Sequence, residues 1–183
     1  MSNVTLYFAL CEELVDRPLS RALRDRAAAL SFGEGGFAYA ATEEGEKPRF
    51  SAPADAFFNV THTKNLFLCA VSDGEVGLDA EDVSSPHKER EALLQRVFSE
   101  EERQTVAAAK EEERTRTFLR LWTEKEASAK FSGGGLKDVL GKRTEGAVLT
   151  DLTPLMESLG ISAVVTLATK DVPRVTVCEL EEE

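Results

Sequence analysis

The sequence predicts an α+β protein made of two similar halves, each a small, mainly antiparallel sheet packed with a helix. Segments with the two-residue period of strands alternate with segments of helical period, and three strand-like segments follow the longest helical one. The predicted boundary lies near Ser84-Ser85-Pro86, which gives halves of residues 1–85 and 86–183, although no residue-level repeat relates them. At 183 residues the chain can bury a sizeable core.

The first half contains signals for a strand, a helix and a hairpin. Residues 4–10 read as a strand, and apolar residues then recur with helical spacing over residues 19–30. Further on, residues 66–71 form an apolar run, an Asp-Gly turn follows, and residues 76–81 alternate strictly between apolar and other residues. These features predict a β-hairpin over residues 66–81.

The second half begins with helices and ends with strands. Residues 87–110 have a helical pattern that breaks near Ser99, because Ser99 can cap a new helix and Glu102 stands at the capping-box position. A long helix over residues 113–131 ends at a run of glycines. Segments rich in Val, Leu and Thr predict three strands, at residues 147–152, 162–169 and 172–180.

The composition excludes several kinds of partner. A net charge of −11 would repel both nucleic acid and an anionic membrane. The sequence has neither a leader-like start nor an apolar run of about 20 residues, so we expect a cytoplasmic protein. Cys11, Cys69 and Cys178 are odd in number, widely separated and set among apolar neighbours, which predicts buried thiols rather than disulfides or metal ligands.

Three acidic residues are candidates for a metal site. In the alternating segment, a period of two places Asp79 and Glu81 on one side of a strand. On the long helix, Glu126 and Lys130 are four residues apart at the edge of an apolar stripe. Each pattern alone also fits an ordinary surface, namely a hairpin with a wet outer face and an exposed Glu126–Lys130 ion pair. Together, carboxylates, a lysine and a glycine-rich turn are what a site for Mg²⁺ and phosphate needs.

Three segments, in order along the chain, resemble the signature blocks of the 4'-phosphopantetheinyl transferase superfamily. They are Phe58-Asn59-Val60-Thr61-His62-Thr63, Gly77-Leu78-Asp79-Ala80-Glu81, and Trp122-Thr123-Glu124-Lys125-Glu126-Ala127-Ser128-Ala129-Lys130 with the following Gly133-Gly134-Gly135-Leu136. The similarity is greatest to the Sfp-like type, in which one chain contains two related halves. It implies the 4'-phosphopantetheinyl transferase fold, a monomer that forms an internal pseudo-dimer, and an active site at the junction of the halves.

The resemblance also implies roles for individual residues. By matched position, Asp79, Glu81 and Glu126 bind Mg²⁺. His62 contacts the 3'-phosphate of coenzyme A. Thr61, which replaces the family's usual serine, and Lys47, which resembles the lysine of a Gly-Lys-Pro segment, are also expected to contact coenzyme A. Lys125 and Lys130 are expected to face the pyrophosphate. Further candidates for binding the coenzyme A phosphates are Arg17, Arg21 or Arg24.

Two of these residues are expected to take part in the chemistry. Lys130 is the expected stabiliser of the leaving phosphate, where negative charge grows as the phosphoanhydride breaks. Glu102 lies in a segment similar to the one that provides a proposed general base in the family, but the same residue can serve only as half of a capping box with Ser99. The two roles of Glu102 are compatible only if its carboxylate can leave the helix end.

The implied reaction is Mg²⁺-dependent transfer of 4'-phosphopantetheine from coenzyme A to a serine hydroxyl of an apo acyl or peptidyl carrier protein, with release of adenosine 3',5'-bisphosphate. The activity is that of a holo-[acyl-carrier-protein] synthase. Two alternatives remain open at this point: a coenzyme A-binding homologue with weak transfer, and a metal-dependent phosphohydrolase, which would explain the acidic residues but not the Trp-Lys-Glu-Ala block. No nucleic acid or membrane partner is expected.

Overall fold

The computed structural model describes residues 1–42, 47–84, 90–134 and 146–181. Within these ranges it contains nine strands and five helices. In chain order they are β1 (Ser2–Leu10), α1 (Arg17–Phe32), β2 (Ala38–Tyr39), β3 (Phe50–Ala52), β4 (Phe57–His62), β5 (Leu66–Ser72), β6 (Val76–Asp82), α2 (Arg90–Val97), α3 (Glu100–Ala108), α4 (Glu111–Ser132), β7 (Val148–Asp151), α5 (Thr153–Ser158), β8 (Ala163–Thr169) and β9 (Pro173–Glu179).

The strands form two main sheets and a small one. The first main sheet has the order β4-β5-β1-β9, and its only parallel pair is β1 with β9. The second is antiparallel, with the order β6-β8-β7, and β2 pairs with β3 in a two-stranded sheet. The predicted α+β class, with small, mainly antiparallel sheets packed against helices, is confirmed.

The two main sheets pack against each other through an apolar core. Alternate residues of each sheet point into this core, with Leu6 and Leu68 from the first sheet and Leu78 and Leu167 from the second fully buried. Helix α1 packs on the other face of the first sheet, and α4 packs on the other face of the second. Each sheet is therefore buried between its partner sheet and a helix.

The predicted hairpin over residues 66–81 is wrong. Strands β5 and β6 are consecutive, but β5 pairs with β1 and β4 while β6 pairs with β8 in the other sheet. The Asp-Gly turn is held to the start of β1, where Asp73 accepts hydrogen bonds from the backbone N–H and the side-chain amide of Asn3. Apolar side chains of β5 and β6 therefore pack against each other in the core between the two sheets, and the strands are not neighbours within one sheet.

The sheets do not follow the predicted boundary between the halves. Strand β6 precedes residue 85 but belongs to the sheet with β7 and β8, and β9 follows it but pairs with β1. The boundary at Ser85-Pro86, and Gly135-Leu136 at the end of the glycine block, lie outside the described residues. The halves therefore stay a prediction, and each main sheet contains a strand from the other side of the predicted boundary.

The expected break between helices and two of the three expected buried cysteines agree with the structure. The helical pattern breaks between α2 and α3, and Ser99 caps α3. Cys11 and Cys69 are buried thiols, and Cys178 is half-buried. Helix α5 and strands β3 and β4 were not predicted from the sequence. Across the four described ranges, every helix is too short or too polar to cross a bilayer.

Candidate active site

Strand β6 and helix α4 lie in direct main-chain contact at Gly77. A Cβ atom at this position would lie 2.0 Å from the carbonyl oxygen of Ala127 and 2.5 Å from the backbone nitrogen of Phe131. Only glycine fits such an approach, since real Cβ contacts are not this short. The side of β6 that carries Gly77 also carries Asp79 and Glu81, so both carboxylates are directed towards α4.

A cleft of about 370 Å³ lies between β4, β6 and α4. Asp79 and Glu81 line it from β6, and Glu126 and Lys130 line it from α4. The opposite wall is β4, which contributes the sequence-predicted residues Thr61 and His62. The structure therefore brings six of the nine predicted site residues into one cleft.

Asp79 is the most buried acid of the cleft. Its Oδ1 accepts a hydrogen bond from Lys130 Nζ at 2.6 Å and one from Thr61 Oγ1 at 3.3 Å, and Lys130 Nζ also donates to the carbonyl oxygen of Leu78 at 3.0 Å. The second oxygen, Oδ2, is buried and has no hydrogen-bond partner among the described residues. A buried carboxylate oxygen without a partner is costly, and a bound cation would satisfy it.

The pKa values of all three acids in the cleft are raised. Burial raises the pKa of Asp79, against the opposing effect of the Lys130 ammonium group. Burial, followed by the negative charge of Asp79, raises the pKa of Glu81 to about 7, and the same two causes raise the pKa of Glu126. Three acids compete for one lysine, so the cleft favours additional positive charge.

The donor set suits Mg²⁺ by its chemistry. Mg²⁺ prefers hard oxygen ligands, and a few carboxylates together with phosphate and water are its usual partners. In the described ranges, no three His, Cys, Asp or Glu side chains are already grouped closely enough to form a metal cluster. The cation beside Asp79 is instead Lys130, which uses Oδ1 and leaves Oδ2 for another ligand.

Lys125 and Glu102 lie outside the cleft. Lys125 is fully buried, and its Nζ lies 3.0 Å from Glu102 Oε1 and 5.9 Å from the ring centroid of Phe98. Glu102 Oε2 accepts a hydrogen bond from the backbone N–H of Ser99 at 2.7 Å, and the Ser99 hydroxyl accepts one from the Glu102 N–H, which completes the capping box. Both oxygens of the predicted base are thus engaged at the start of α3.

Lys47 also lies outside the cleft. Its Nζ lies 2.9 Å from Glu75 Oε2 and donates to the carbonyl oxygen of Val76 at 2.9 Å, at the start of β6. The next residue, Pro48, lines a second cavity of about 200 Å³ together with Arg21 and Arg24. This cavity and the cleft share the lining residue Val60. Arginine side chains therefore lie next to the cleft, on the side of β4 that faces α1.

Arg24 is held in place by its neighbours. Its guanidinium group forms an ion pair with Asp25 at 2.7 Å and lies 4.0 Å from the centroid of the Tyr39 ring. Tyr39 donates a hydrogen bond from its hydroxyl to Asp25 Oδ1 at 2.8 Å. These contacts fix the arginine at the wall of the second cavity.

Three residues that shape the cleft have roles that were not predicted from the sequence. Gly77 sets the approach of β6 to α4. Asn59 accepts a hydrogen bond at Oδ1 from the backbone N–H of Leu78 at 2.9 Å, which ties β4 of one sheet to β6 of the other. Trp122 donates from Nε1 to Glu81 Oε1 at 3.0 Å. The sequence does contain a signal, because Gly77 and Asn59 interrupt strand-like segments and Trp122 carries an N–H group on an otherwise apolar stripe. The spacing of residues alone does not show which group each of them contacts.

Known proteins match the part of the chain that contains β6 and α4, two of the three elements that line the cleft. Residues 75–153, which include β6, α3 and α4, match the model of the 4'-phosphopantetheinyl transferase superfamily. The chain is 41% identical over 89 residues to the 4'-phosphopantetheinyl transferase AcpT of Salmonella typhimurium, a match that covers 48% of this chain and 46% of that protein.

Two further relatives have the same named activity. The 4'-phosphopantetheinyl transferase HetI of a Nostoc species is 35% identical over 86 residues, which cover 46% of this chain and 36% of HetI. The 4'-phosphopantetheinyl transferase Sfp of Bacillus subtilis is 33% identical over 95 residues, which cover 52% of this chain and 41% of Sfp. The chain matches less than half the length of each of these three relatives. The matched region of this chain is therefore similar to 4'-phosphopantetheinyl transferases.

Proposed function

We propose that the protein transfers 4'-phosphopantetheine from coenzyme A to a serine hydroxyl of an apo carrier protein, with Mg²⁺ as cofactor. The observation that carries this proposal is the cleft that Asp79, Glu81, Glu126 and Lys130 line from β6 and α4, two elements within the region that matches the superfamily. In the reaction the serine oxygen forms a bond to the phosphorus that carries pantetheine. The phosphoanhydride bond breaks, adenosine 3',5'-bisphosphate leaves with the electron pair, and the proton of the serine hydroxyl passes to water.

Asp79, Glu81 and Glu126 are the proposed metal-holding residues. Support comes from the buried, unpartnered Oδ2 of Asp79 and from the raised pKa values of all three acids. When bound, Mg²⁺ supplies charge neutralisation for the pyrophosphate and fixes its orientation. The carboxylates also keep the nearby lysine in the cleft, since Asp79 pairs with Lys130.

Lys130 is the proposed stabiliser of the leaving phosphate. Its ammonium group lies at the cleft wall, and its side chain is 29% exposed, so a phosphate oxygen can reach it. A preorganised cation at the place where negative charge develops lowers the barrier more than one that must be recruited from solvent. Lys125 has no comparable access, and we assign it to the buried pair with Glu102.

The coenzyme A contacts are proposed along β4. His62 and Thr61 lie at the cleft, where His62 would contact the 3'-phosphate. The neighbouring cavity with Arg21 and Arg24 supplies the basic groups for the remaining negative charge of the nucleotide. Lys47 would contribute only after leaving Glu75, whereas Arg24 is already held at the cavity wall.

Glu102 is proposed as a helix cap rather than as the general base. Both of its oxygens have partners, Ser99 and Lys125, and its side chain is only 15% exposed. To accept a proton from the serine it would have to break both interactions, and the buried Lys125 would lose its counter-charge.

The proposed partner is an acyl or peptidyl carrier protein. The protein is proposed to act in the cytoplasm as a monomer that forms an internal pseudo-dimer.

Mass spectrometry of an apo carrier protein incubated with the enzyme, coenzyme A and Mg²⁺ tests the proposal. A mass gain equal to phosphopantetheine supports transfer. Coenzyme A binding without a gain indicates a homologue with weak transfer, and coenzyme A cleavage without carrier modification indicates a phosphohydrolase.

Two variants test the site itself. Asp79→Ala should abolish the gain, because the most buried carboxylate of the cleft is lost. Asp55→Ala, which removes an exposed acid outside the cleft, should leave the gain unchanged and serves as the control. Full Mg²⁺-dependent transfer by Asp79→Ala would contradict the metal assignment.

A further inference from the structure

The only tryptophan of the chain lies at the wall of the cleft. Trp122 Nε1 donates a hydrogen bond to Glu81 Oε1 at 3.0 Å, from α4 to β6. The ring also packs at the edge of an apolar cluster that includes Phe118 of the same helix and Val83 just after β6. The indole is therefore held on one side by packing, and its N–H is directed at a carboxylate of the proposed metal site.

Glu81 needs such a partner because of its surroundings. Its side chain has several rotatable bonds, and the like charges of Asp79 and Glu126 act on it. Without a hydrogen bond from the protein, repulsion would favour rotamers that turn the carboxylate towards solvent. The indole N–H opposes this rotation and uses only Oε1, so the described hydrogen bonds leave Oε2 for a ligand.

We propose that Trp122 is a positioning residue, whose indole N–H holds the Glu81 carboxylate in the cleft so that it can bind a divalent cation together with Asp79. The inference rests on the proposed function, because the cation is the one assigned to these carboxylates. It adds a residue that does not touch the cation and acts through Glu81. Partners of this kind, which orient a metal ligand, change metal affinity by about 10–100-fold when removed.

The first experiment observes the hydrogen bond without any activity measurement. With one tryptophan, a ¹⁵N-labelled sample gives a single indole N–H cross-peak in its NMR spectrum. We expect this peak to move in Glu81→Ala and during titration of the wild type with Mg²⁺. Tyr7→Phe is the control, since it removes the hydrogen bond between the Tyr7 and Ser31 hydroxyls outside the cleft and should leave the indole peak in place. An indole peak unchanged by Glu81→Ala would overturn the inference.

The second experiment measures cation affinity with Mn²⁺ as the probe, by electron paramagnetic resonance. Trp122→Phe keeps an aromatic ring but removes the N–H, so we expect the Kd for Mn²⁺ to rise about tenfold, the lower end of the usual range. Tyr7→Phe should keep the wild-type Kd. If Trp122→Phe folds poorly, benzothienylalanine at position 122 preserves the shape of the indole and replaces its N–H by sulfur. An unchanged Kd in a folded variant of either kind would overturn the inference.

Glu81→Gln and Asp79→Ala separate failure of this inference from failure of the proposed function. If both variants lose Mn²⁺ binding while the Trp122 variants keep the wild-type Kd, only the role of Trp122 is wrong. If neither variant changes the Kd, the carboxylates do not hold the cation, and the proposed metal site fails together with the inference. A raised Kd in all of them supports both.

Discussion

Helix α4 carries two lysines, five residues apart, that form the same kind of ion pair in different surroundings. Lys125 is completely buried and pairs with Glu102, whose side chain is 15% exposed. Lys130 is 29% exposed and pairs with Asp79 at the cleft. Five residues correspond to a rotation of about 140° around a helix, so the two ammonium groups leave α4 in different directions. Burial, rather than the identity of the pair, separates a structural lysine from one that can meet a ligand.

The rotation of α4 that produces this difference is fixed by contacts on its other turns. Thr123 is fully buried, and its hydroxyl shares a 2.8 Å hydrogen bond with the hydroxyl of Thr166 on β8. Gly77 of β6 lies against the backbone at Ala127. With α4 held at both points, Lys125 is directed to α3 and Lys130 to the cleft.

The largest effect is expected from Lys125→Met. The substitution leaves Glu102 without its counter-charge, and breaking a buried ion pair from one side costs about 3–5 kcal/mol of unfolding free energy. Urea denaturation followed by circular dichroism measures this loss. The double variant Lys125→Met with Glu102→Gln should recover part of it, because no unpaired charge remains. If Lys125→Met lowered the unfolding free energy by only about 1 kcal/mol, as expected for an exposed ion pair, the described difference between the two lysines would be wrong.

Lys130→Met should have the opposite profile. We expect the rate of carrier modification to fall by about 10²–10³-fold, as when one preorganised donor to a developing negative charge is removed. The loss of unfolding free energy should be smaller than for Lys125→Met, because Lys130 is partly exposed and Asp79 can take up a proton in its absence. Transfer assays and urea denaturation of both variants give the comparison. Normal transfer by Lys130→Met would remove its proposed role.

Glu102→Gln should affect stability and leave catalysis intact. Glutamine can still complete a capping box and can still accept a hydrogen bond, but it leaves the buried Lys125 without a counter-charge, so we expect a loss of about 3 kcal/mol, the lower end of the cost of breaking a buried pair. Thermal unfolding and the rate of transfer are measured on the same preparation. A large fall in rate with unchanged stability would restore Glu102 as the general base.

The smallest effect concerns pH and distinguishes the cleft from the buried pair. Because the pKa of Glu81 is raised to about 7, protons compete with a cation below that pH, and the affinity for Mg²⁺ should fall about tenfold from pH 8 to pH 6. In the metal-free protein, the effect of pH on the unfolding free energy has the opposite sign. Since the folded pKa lies above the ordinary value of 4.5, ionisation of Glu81 destabilises the fold as pH rises from that value to about 7.

Titration with Mg²⁺ at several pH values, followed by calorimetry, measures the affinity. Glu81→Gln should remove the step near pH 7 and should stabilise the metal-free protein at pH 8. An affinity in the wild type that does not change between pH 6 and pH 8 would contradict the raised pKa of Glu81.

Much of the fold was predictable because local signals decide it. The break between α2 and α3 follows from the capping box at Ser99 and Glu102, and the alternation in β6 shows which residues share a side. Pairing partners were not predictable. The period of a strand shows its faces but not its neighbours, so the pairing of β1 with β9 and the separation of β5 from β6 needed the structure.

The candidate site divides in the same way. Resemblance to the superfamily supplied Asp79, Glu81, Glu126 and Lys130, and the structure places all four in one cleft. Helical spacing separates Lys125 from Lys130, but it does not show that α3 covers the former. Asn59 and Trp122 were missed for a related reason. Their roles depend on a partner in another element of the fold, Leu78 and Glu81 respectively.

The main-chain contact at Gly77 bears on ion selectivity. No side chain separates β6 from α4 at this point, so their spacing cannot adjust by a change of rotamer. On the proposed assignment, Asp79 and Glu126 lie on two elements held at a fixed distance. Mg²⁺ requires short bonds of about 2.0–2.1 Å in near-octahedral geometry, whereas Ca²⁺ accepts about 2.3–2.6 Å and irregular shells. A backbone contact that carries no ligand would thus help the site to prefer the smaller ion.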